Sequence, residues 1–228
     1  MRVSIIIPVL DEAVSLAATI RQLADIRAAD EAVDVIFVDG GSHDDSVALL
    51  RAADFDVIQS NRGRAQQMNA GAAVAGGDIL MFLHADTRLP DGAMEQVRNA
   101  VREGARSGFF AVRLDSDRLL LRLVGRLISA RSRVTGIATG DQAIFVCRNT
   151  FKALGGFAPL PLFEDVELTR RLKRRGMIRG LPGTVTTSAR RWERMGPART
   201  IVRMWGLRAA YACGIRPERL ASYYEAVR

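Results

Sequence analysis

The chain has 228 residues, 48% of them hydrophobic and 25% charged, which is enough for one substantial core and short for two full domains. Its formal net charge is +8, but the basic residues are scattered, aromatics make up only 6% and no recognition motif accompanies them, so the expectation is no nucleic-acid partner. Lys152 and Lys173 are the only lysines; an arginine bias suits anionic ligands, because the guanidinium offers a rigid fork of donors, and arginine-rich codon usage accounts for it equally well.

Cys147 and Cys213 are the only cysteines, too few for a disulfide framework or a zinc site, and they fit a reducing cytosol. The opening apolar run is interrupted by Pro8 and Asp11, too brief for a secretion signal. No stretch approaches the ~18 apolar residues of a membrane span. The expectation is a cytoplasmic protein that at most lies on the inner face of the membrane.

Taken in chain order, Ser4 to Leu10 is a continuous apolar run ending at Asp11-Glu12, the pattern of a strand buried on both faces. Leu16, Ile20 and Leu23 then recur at helical spacing. Val33 to Val38 is a second strand, ending at Asp39-Gly40-Gly41-Ser42, where Ser42 or Asp44 can cap a helix carrying Val47, Leu49 and Leu50. A short strand over Asp56–Gln59 leads to Asn61-Arg62-Gly63-Arg64 and a small-residue helix from Ala65 to Ala75. Gly76-Gly77 stops it before a third apolar strand, Asp78 to Leu83, that ends at His84-Ala85-Asp86. Pro90-Asp91 opens a helix with Met94, Val97 and Val101.

The second half is mixed. Ser107 to Leu114 reads as a strand, Arg118 to Arg133 as a basic amphipathic helix, Gln142 to Cys147 as a strand and Phe163 to Arg175 as a helix. Met177 to Ser188 holds one or two short strands around Pro182-Gly183, and helices follow over Pro197–Cys213 and Pro217–Val227. The βαβαβ alternation predicts an α/β fold, a mostly parallel sheet flanked by helices with right-handed crossovers. No linker or repeat divides the chain, so residues 1–228 are expected to form a single domain.

Acids at successive strand ends point to one crevice for a polar ligand, since ligands of open α/β sheets bind beyond the strands' carboxyl ends. A carboxylate there can accept hydrogen bonds from a base edge or from ribose hydroxyls. Asp39 can equally be a turn-forming residue before Gly-Gly. Glu164, Asp165 and Glu167 crowd a helix start, where acids suit the dipole whatever else they do.

In sequence, Ile6 to Glu12, Val38 to Ser46, Ala85-Asp86 and Phe163 to Leu168 resemble, in the same order, the signatures of family 2 glycosyltransferases, which have the GT-A fold. The resemblance covers roughly residues 3 to 195. It implies a nucleotide-sugar-binding half over 1–105 and an acceptor-side half over 106–228 that carries the C-terminal helices. It implies an inverting transfer from a nucleoside diphosphate-sugar, uracil being the family's commoner base, to a hydroxyl acceptor that is small or lipid-linked. Asp165 is then the general base and Glu164 orients base or acceptor. Pro8, Asp11, Glu12, Asp39, Gly40 and Ser42 are placed on the donor nucleoside.

Asp86 is implied to hold Mn²⁺ or Mg²⁺ at the diphosphate. Here the chain departs from the pattern: His84 stands where the family's metal motif has its first acid. Histidine can ligate Mn²⁺ and suits Mg²⁺ poorly, or it can donate to the sugar or phosphate, so metal ligand and donor contact both stay open. Arg64 to Gly71 resembles the family's Gly-x-x-x-Asn-x-Gly segment, which puts Arg64 and Asn69 on the donor side. Asp141 and Gln142 are placed on the acceptor side. Arg190-Arg191-Trp192 resembles the basic-aromatic element after the base, with Arg191 on the diphosphate and Trp192 on the acceptor.

In the helix over 118–133, Arg118, Arg122 and Arg126 share one face amid leucines, a pattern that lies on anionic membrane or packs on a core or a dimer partner. Two other functional readings stay open: a non-catalytic member that only binds nucleotide sugar or a partner, which His84 admits, and a sugar nucleotidyltransferase. The latter should carry a Gly-rich loop after the first strand, where this chain has Pro8-Val9-Leu10-Asp11-Glu12.

Overall fold

The computed structural model describes residues 1–176 and 178–225. The three long apolar runs become β1 (Val3–Val9), β2 (Val33–Asp39) and β4 (Ile79–Phe82), with β3 (Asp56–Gln59) at the edge. β1 pairs in parallel with both β2 and β4, and β2 with β3. Parallel neighbours need crossovers, and these are α1 (Ala13–Ala29), α2 (Ser46–Ala52) and α3 (Arg64–Val74).

Strand periodicity splits β1 between two cores. Ile5 and Ile7 point into a cluster with Leu16, Leu23 and Phe37 beneath α1. Ile6 points the other way, to Val38, Met68 and Ala72 beneath α3. Both faces are therefore covered, which is why these strands carry no polar alternation.

Beyond β4 the sheet turns mixed. The remaining strands are β5 (Thr87–Arg88), β6 (Ser107–Asp115), β7 (Ile144–Cys147) and β8 (Arg179–Ser188), and the full order is β3-β2-β1-β4-β7-β6-β8-β5. β7 runs antiparallel to β4 and β6, while β6 and β8 are parallel. The region around Pro182-Gly183 is one bulged strand: Phe109 pairs with Gly180 but Ala111 with Thr184, so β8 carries extra residues where Pro182 cannot donate to the ladder.

The helices are α4 (Ala93–Arg102), α5 (Leu119–Thr135), α6 (Arg148–Ala153), α7 (Glu164–Arg174), α8 (Arg190–Met195), α9 (Pro197–Ala212) and α10 (Pro217–Glu225). The short helices α6 and α8 were not legible in the periodicity. Gln142, expected to open a strand, instead closes a 3₁₀ turn over Gly140–Gln142 with a reciprocal Thr139–Gln142 capping box, and the strand starts at Ile144.

α3 can lie this close to the sheet because of Gly71. A methyl group there would sit 2.5 Å from Ile6 Cγ2 and 2.9 Å from Val38 Cγ2. Gly71→Ala is expected to lower stability by roughly 1–3 kcal/mol through overpacking, read as a shifted midpoint in urea denaturation. An unchanged midpoint would mean that α3 can move off the sheet freely.

Candidate functional site

The carboxyl ends of β2, β1 and β4 and the amino end of the antiparallel β7 lie along one edge of the sheet, since Val9 is level with Asp39, and Phe82 with both Ile6 and Ile144. The segments leaving that edge carry most of the residues singled out from sequence: Asp11-Glu12, Asp39 to Ser46, His84 to Asp86 and Gly140 to Gln142.

On the donor side the first two segments are clasped together. Asp11 holds a left-handed φ of 53°; its N–H donates to Ser42 Oγ (3.0 Å) and its Oδ1 accepts from His43 N (2.7 Å). Glu12 N donates to Ser46 Oγ and Ala13 N to Asp44 Oδ2. Pro8 lies in β1 opposite Val38. Asp39 is buried and organises its own turn, accepting from Gly41 N (3.1 Å), Ser42 N (3.1 Å) and Ser42 Oγ (2.6 Å). Three donors on a carboxylate with about four lone-pair sites leave room for one more, so the turn-forming and ligand-holding readings of Asp39 are compatible.

Beneath this loop, Gln67 donates from Nε2 to the carbonyls of Val9 and Val38, both at 2.8 Å. Its amide fills the space a side chain at Gly40 would need, since a Cβ there would lie 2.9 Å from Gln67 Cδ. Gly40 is thus a close-approach position. Asn69, expected on the donor side, has its carboxamide paired with both backbone groups of Phe157 at 2.9 Å. It joins α3 to the loop before α7, a structural duty in place of the donor contact.

The second cluster, which the sequence placed on the acceptor side, is built around the start of α7. Its crowded acids separate into distinct environments. Glu167 pairs bidentately with Arg171, which also holds the carbonyls of Leu154 and Gly156, so Glu167 is structural. Glu164 is buried. Asp165 accepts from Gly140 N through Oδ2 and from Val166 N through Oδ1, both at 2.6 Å. Burial pushes the Asp165 carboxyl up from 3.8 to about 6, and the Glu164 charge adds to the rise. The two backbone N–H groups and the Arg64 guanidinium pull it back. Arg64 on α3 is therefore within electrostatic reach of this carboxylate.

The 3₁₀ turn ties this acid to the rest of the edge. Gly140 lies under the His84 imidazole, where a methyl group would stand 2.4 Å from Nε2. His84 and Asp165 thus meet at one glycine. Burial raises the Asp141 carboxyl, and the neighbouring Asp165 adds to that, against a Thr139 hydrogen bond and the Arg131 charge. Asp141 Oδ1 and Arg131 Nε are both buried without a hydrogen-bond partner. Arg131 interacts electrostatically with Asp141 and Asp165, a participant missed in the sequence because its helix was read for its outer face.

Gln142, expected to meet the acceptor, is fully buried. Its Oε1 takes Ser132 Oγ, Thr139 N and Thr139 Oγ1, and its Nε2 donates to Phe110 O. It braces the turn and does not face a ligand. Trp192, partly buried, packs against the cluster of Leu114, Leu121, Val124 and Ala189. The side chain of Arg191 lies outside the described residues.

Asp86 is half-buried, with Oδ1 3.4 Å from Thr87 Oγ1 and 3.5 Å from Thr187 Oγ1. Among the described residues no group of three or more His, Cys, Asp or Glu side chains converges as a metal cage. A single carboxylate still suits Mg²⁺ or Mn²⁺ completed by substrate phosphates and water, the usual arrangement in phosphate-handling sites.

Residues 4–151, well over half of the chain, match glycosyl transferase family 2, and the chain belongs to that family. Among curated relatives, undecaprenyl-phosphate 4-deoxy-4-formamido-L-arabinose transferases of Yersinia pestis (strain Pestoides F) and Yersinia pseudotuberculosis (serotype O:3, strain YPIII) are each 32% identical over 151 residues, 61% of this chain and 46% of the relative. The match spans less than half the length of those proteins. Among solved structures, S. aureus TarS 1-349 superposes with a TM-score of 0.61 at 16% identity, over 82% of this chain and 58% of that one. The mannosyltransferase PcManGT from Pyrobaculum calidifontis, in complex with GDP-Man and Mn²⁺, gives 0.60 at 21% identity, over 81% and 56%. At these identities the likeness establishes the shared fold, the GT-A architecture.

The raised carboxyl has a consequence for folding. Asp165 binds its proton more readily folded than unfolded, so the wild type loses stability as pH rises from 3.8 to about 6. The urea midpoint of wild type is therefore expected to fall between acid and neutral pH by more than that of Asp165→Asn, whose side chain does not titrate; equal pH dependence of the two midpoints would show that the carboxylate is not desolvated.

Proposed function

We propose that this chain is an inverting glycosyltransferase that moves a sugar from a nucleoside diphosphate donor to a hydroxyl acceptor, with Asp165 as general base. The observation that carries this reading is the Asp165 carboxylate itself, half-buried, fixed by two backbone N–H groups and raised to about 6. A base is most effective when its pKa lies near the working pH, and each of its oxygens keeps a lone pair free of the N–H it already accepts.

In the step proposed, Asp165 accepts the acceptor's hydroxyl proton as that oxygen bonds to the anomeric carbon. The bond from that carbon to the diphosphate oxygen breaks on the opposite face. One carboxylate is enough for this displacement, unlike the pair that hydrolysis requires. Glu164 raises the affinity of its neighbour for the proton. Asp141 and Arg131, with their unpartnered polar atoms, are placed on the acceptor.

On the donor side, the remaining lone-pair site of Asp39 is assigned to an N–H of the base. The clasped loop of Pro8, Asp11, Glu12 and Ser42 is assigned to base and ribose, with Arg64, His84 and Arg191 directed to the diphosphate or sugar. Asp86 would hold Mn²⁺ or Mg²⁺, with His84 as a second ligand in the Mn²⁺ case; a bound cation there supplies charge neutralisation to the departing diphosphate. The GDP-Man and Mn²⁺ in the PcManGT structure and the UDP in a TarS structure support a nucleotide donor and a metal by analogy of fold. A uracil nucleotide is the first donor to test. The relatives named for undecaprenyl phosphate support a lipid-linked acceptor. No helix among the described residues is long and apolar enough to cross a membrane. The contact proposed with such an acceptor is peripheral, at the membrane surface.

Asp165→Asn is expected to cut kcat by about 10²–10⁴-fold, the usual contribution of a positioned base, while nucleotide-sugar binding in a thermal-shift assay is kept. The wild-type kcat should fall toward acid with an apparent pKa near 6. Turnover by Asp165→Asn at the wild-type rate would sink the assignment of the base, and absence of sugar transfer by the wild type would leave the non-catalytic or nucleotidyl-transfer readings. Chelation with EDTA is expected to abolish transfer and added Mn²⁺ to restore it; full activity in chelator would remove the metal role from Asp86.

A further inference from the structure

α5 (Leu119–Thr135) has two unlike faces. Leu121, Val124, Gly125, Ser129 and Ser132 are buried. Gly125 admits the backbone of β6 so closely that a methyl group would stand 3.0 Å from Val112 O, and Ser129 Oγ bonds both Val112 N and Val112 O. The helix is thereby fixed on the sheet and its outer face is determined. That face shows Leu119 at 78% exposure, Leu120 at 46%, Leu123 at 51% and Leu127 at 51%. Arg118, Arg122 and Arg126 are exposed among them, and the helix contains no acid.

Helices of soluble domains keep their leucines inward, so a leucine stripe on the solvent side is an unpartnered surface. Its charge selects the partner. A second copy of this face would bring two rows of arginines together with no carboxylate on either helix to answer them. An anionic bilayer answers both features, because leucines enter the acyl boundary while arginine stems lie along it and place their guanidinium groups among the phosphates. We propose that the outer face of α5 docks this protein on an anionic membrane surface.

α9 packs on the inner side of α5. Its Ile201 packs against the cluster containing Leu121 and Val124, and its Val202 and Trp205 are 73% and 69% exposed, tryptophan being suited to the headgroup level. α5 also leads directly to the site. Arg131 in its last turns interacts with Asp165, and Ser132 Oγ bonds the Gln142 that braces the base-holding turn, at 2.7 Å. A docked α5 therefore sets the base at a fixed position relative to the lipid surface. That last step rests on the proposed transfer to a lipid-linked acceptor; the docking itself does not.

The test is co-sedimentation of the full chain with vesicles of phosphatidylcholine, with and without phosphatidylglycerol. Wild type is expected to bind only the anionic vesicles, with a blue shift of tryptophan emission and release by salt. Arg122→Gln and Arg126→Gln should each weaken binding roughly fivefold, the effect of about 1 kcal/mol per basic residue near the surface. The triple variant Leu119→Ser, Leu123→Ser, Leu127→Ser should lose binding. Absence of wild-type binding to anionic vesicles, or binding that none of these variants weakens, overturns the proposal. So does a wild-type dimer by light scattering that the leucine variant dissociates while vesicle binding is nil, which would assign the face to a second copy. Nucleotide-sugar binding of the variants, measured without lipid, is expected to be unchanged, so failure of docking and failure of the donor site are read separately.

Discussion

The hydrogen bond from the Gly140 backbone to Asp165 Oδ2 is the contact on which the arrangement around the start of α7 depends. It joins α7 to the turn before β7, and so joins an acid contributed late in the chain to the sheet edge built by the first ninety residues. A buried carboxylate near another acid is costly unless donors face it. Backbone donors cannot be removed by a side-chain change and move only with the turn, so the turn must be rigid. That requirement accounts for the polar core beneath it, where Gln142 uses its carboxamide on Ser132, Thr139 and Phe110. Glycine at 140 serves the same end from the other side, since the His84 imidazole occupies the place of a side chain.

The donor half meets the same problem with different means. Two loops with several carboxylates must hold still in water-accessible space. The chain does this by letting each loop's side chains satisfy the other's backbone: Asp11 bonds His43 N, Ser42 accepts from Asp11 N, and Asp44 accepts from Ala13 N. Acids that sequence reading assigns to a ligand are thus also acids that build the site. The two duties coexist because a carboxylate accepts more hydrogen bonds than its loop uses.

This explains what was legible in the sequence. The buried strands β1, β2 and β4 were, because uninterrupted apolar runs ending in acids have few other physical readings. So was the helix at Glu164, from its crowded first turn. α6 and α8 were not, being six residues each, too short for an apolar period to show. Among site residues, Asp165 and Gly140–Asp141 come together across the fold, and that adjacency is tertiary and unreadable from spacing. Asn69, Gln142 and Trp192 make structural contacts that residue type alone did not indicate. A polar or aromatic side chain near a site can brace it from behind as well as face it, and residue type does not distinguish these. Direction of the side chain does, and direction is fixed by packing.

The departure at His84 gains a physical sense from its neighbours. An acid at that position would have faced Asp165 across a single glycine, adding like charge to a carboxyl already raised to about 6. Another negative charge there would hold Asp165 protonated to still higher pH and cost it the ability to accept a proton. A histidine can be neutral or cationic and avoids that penalty. The same edge then keeps both the proposed cation ligand, Asp86, and the proposed base clear of a further like charge.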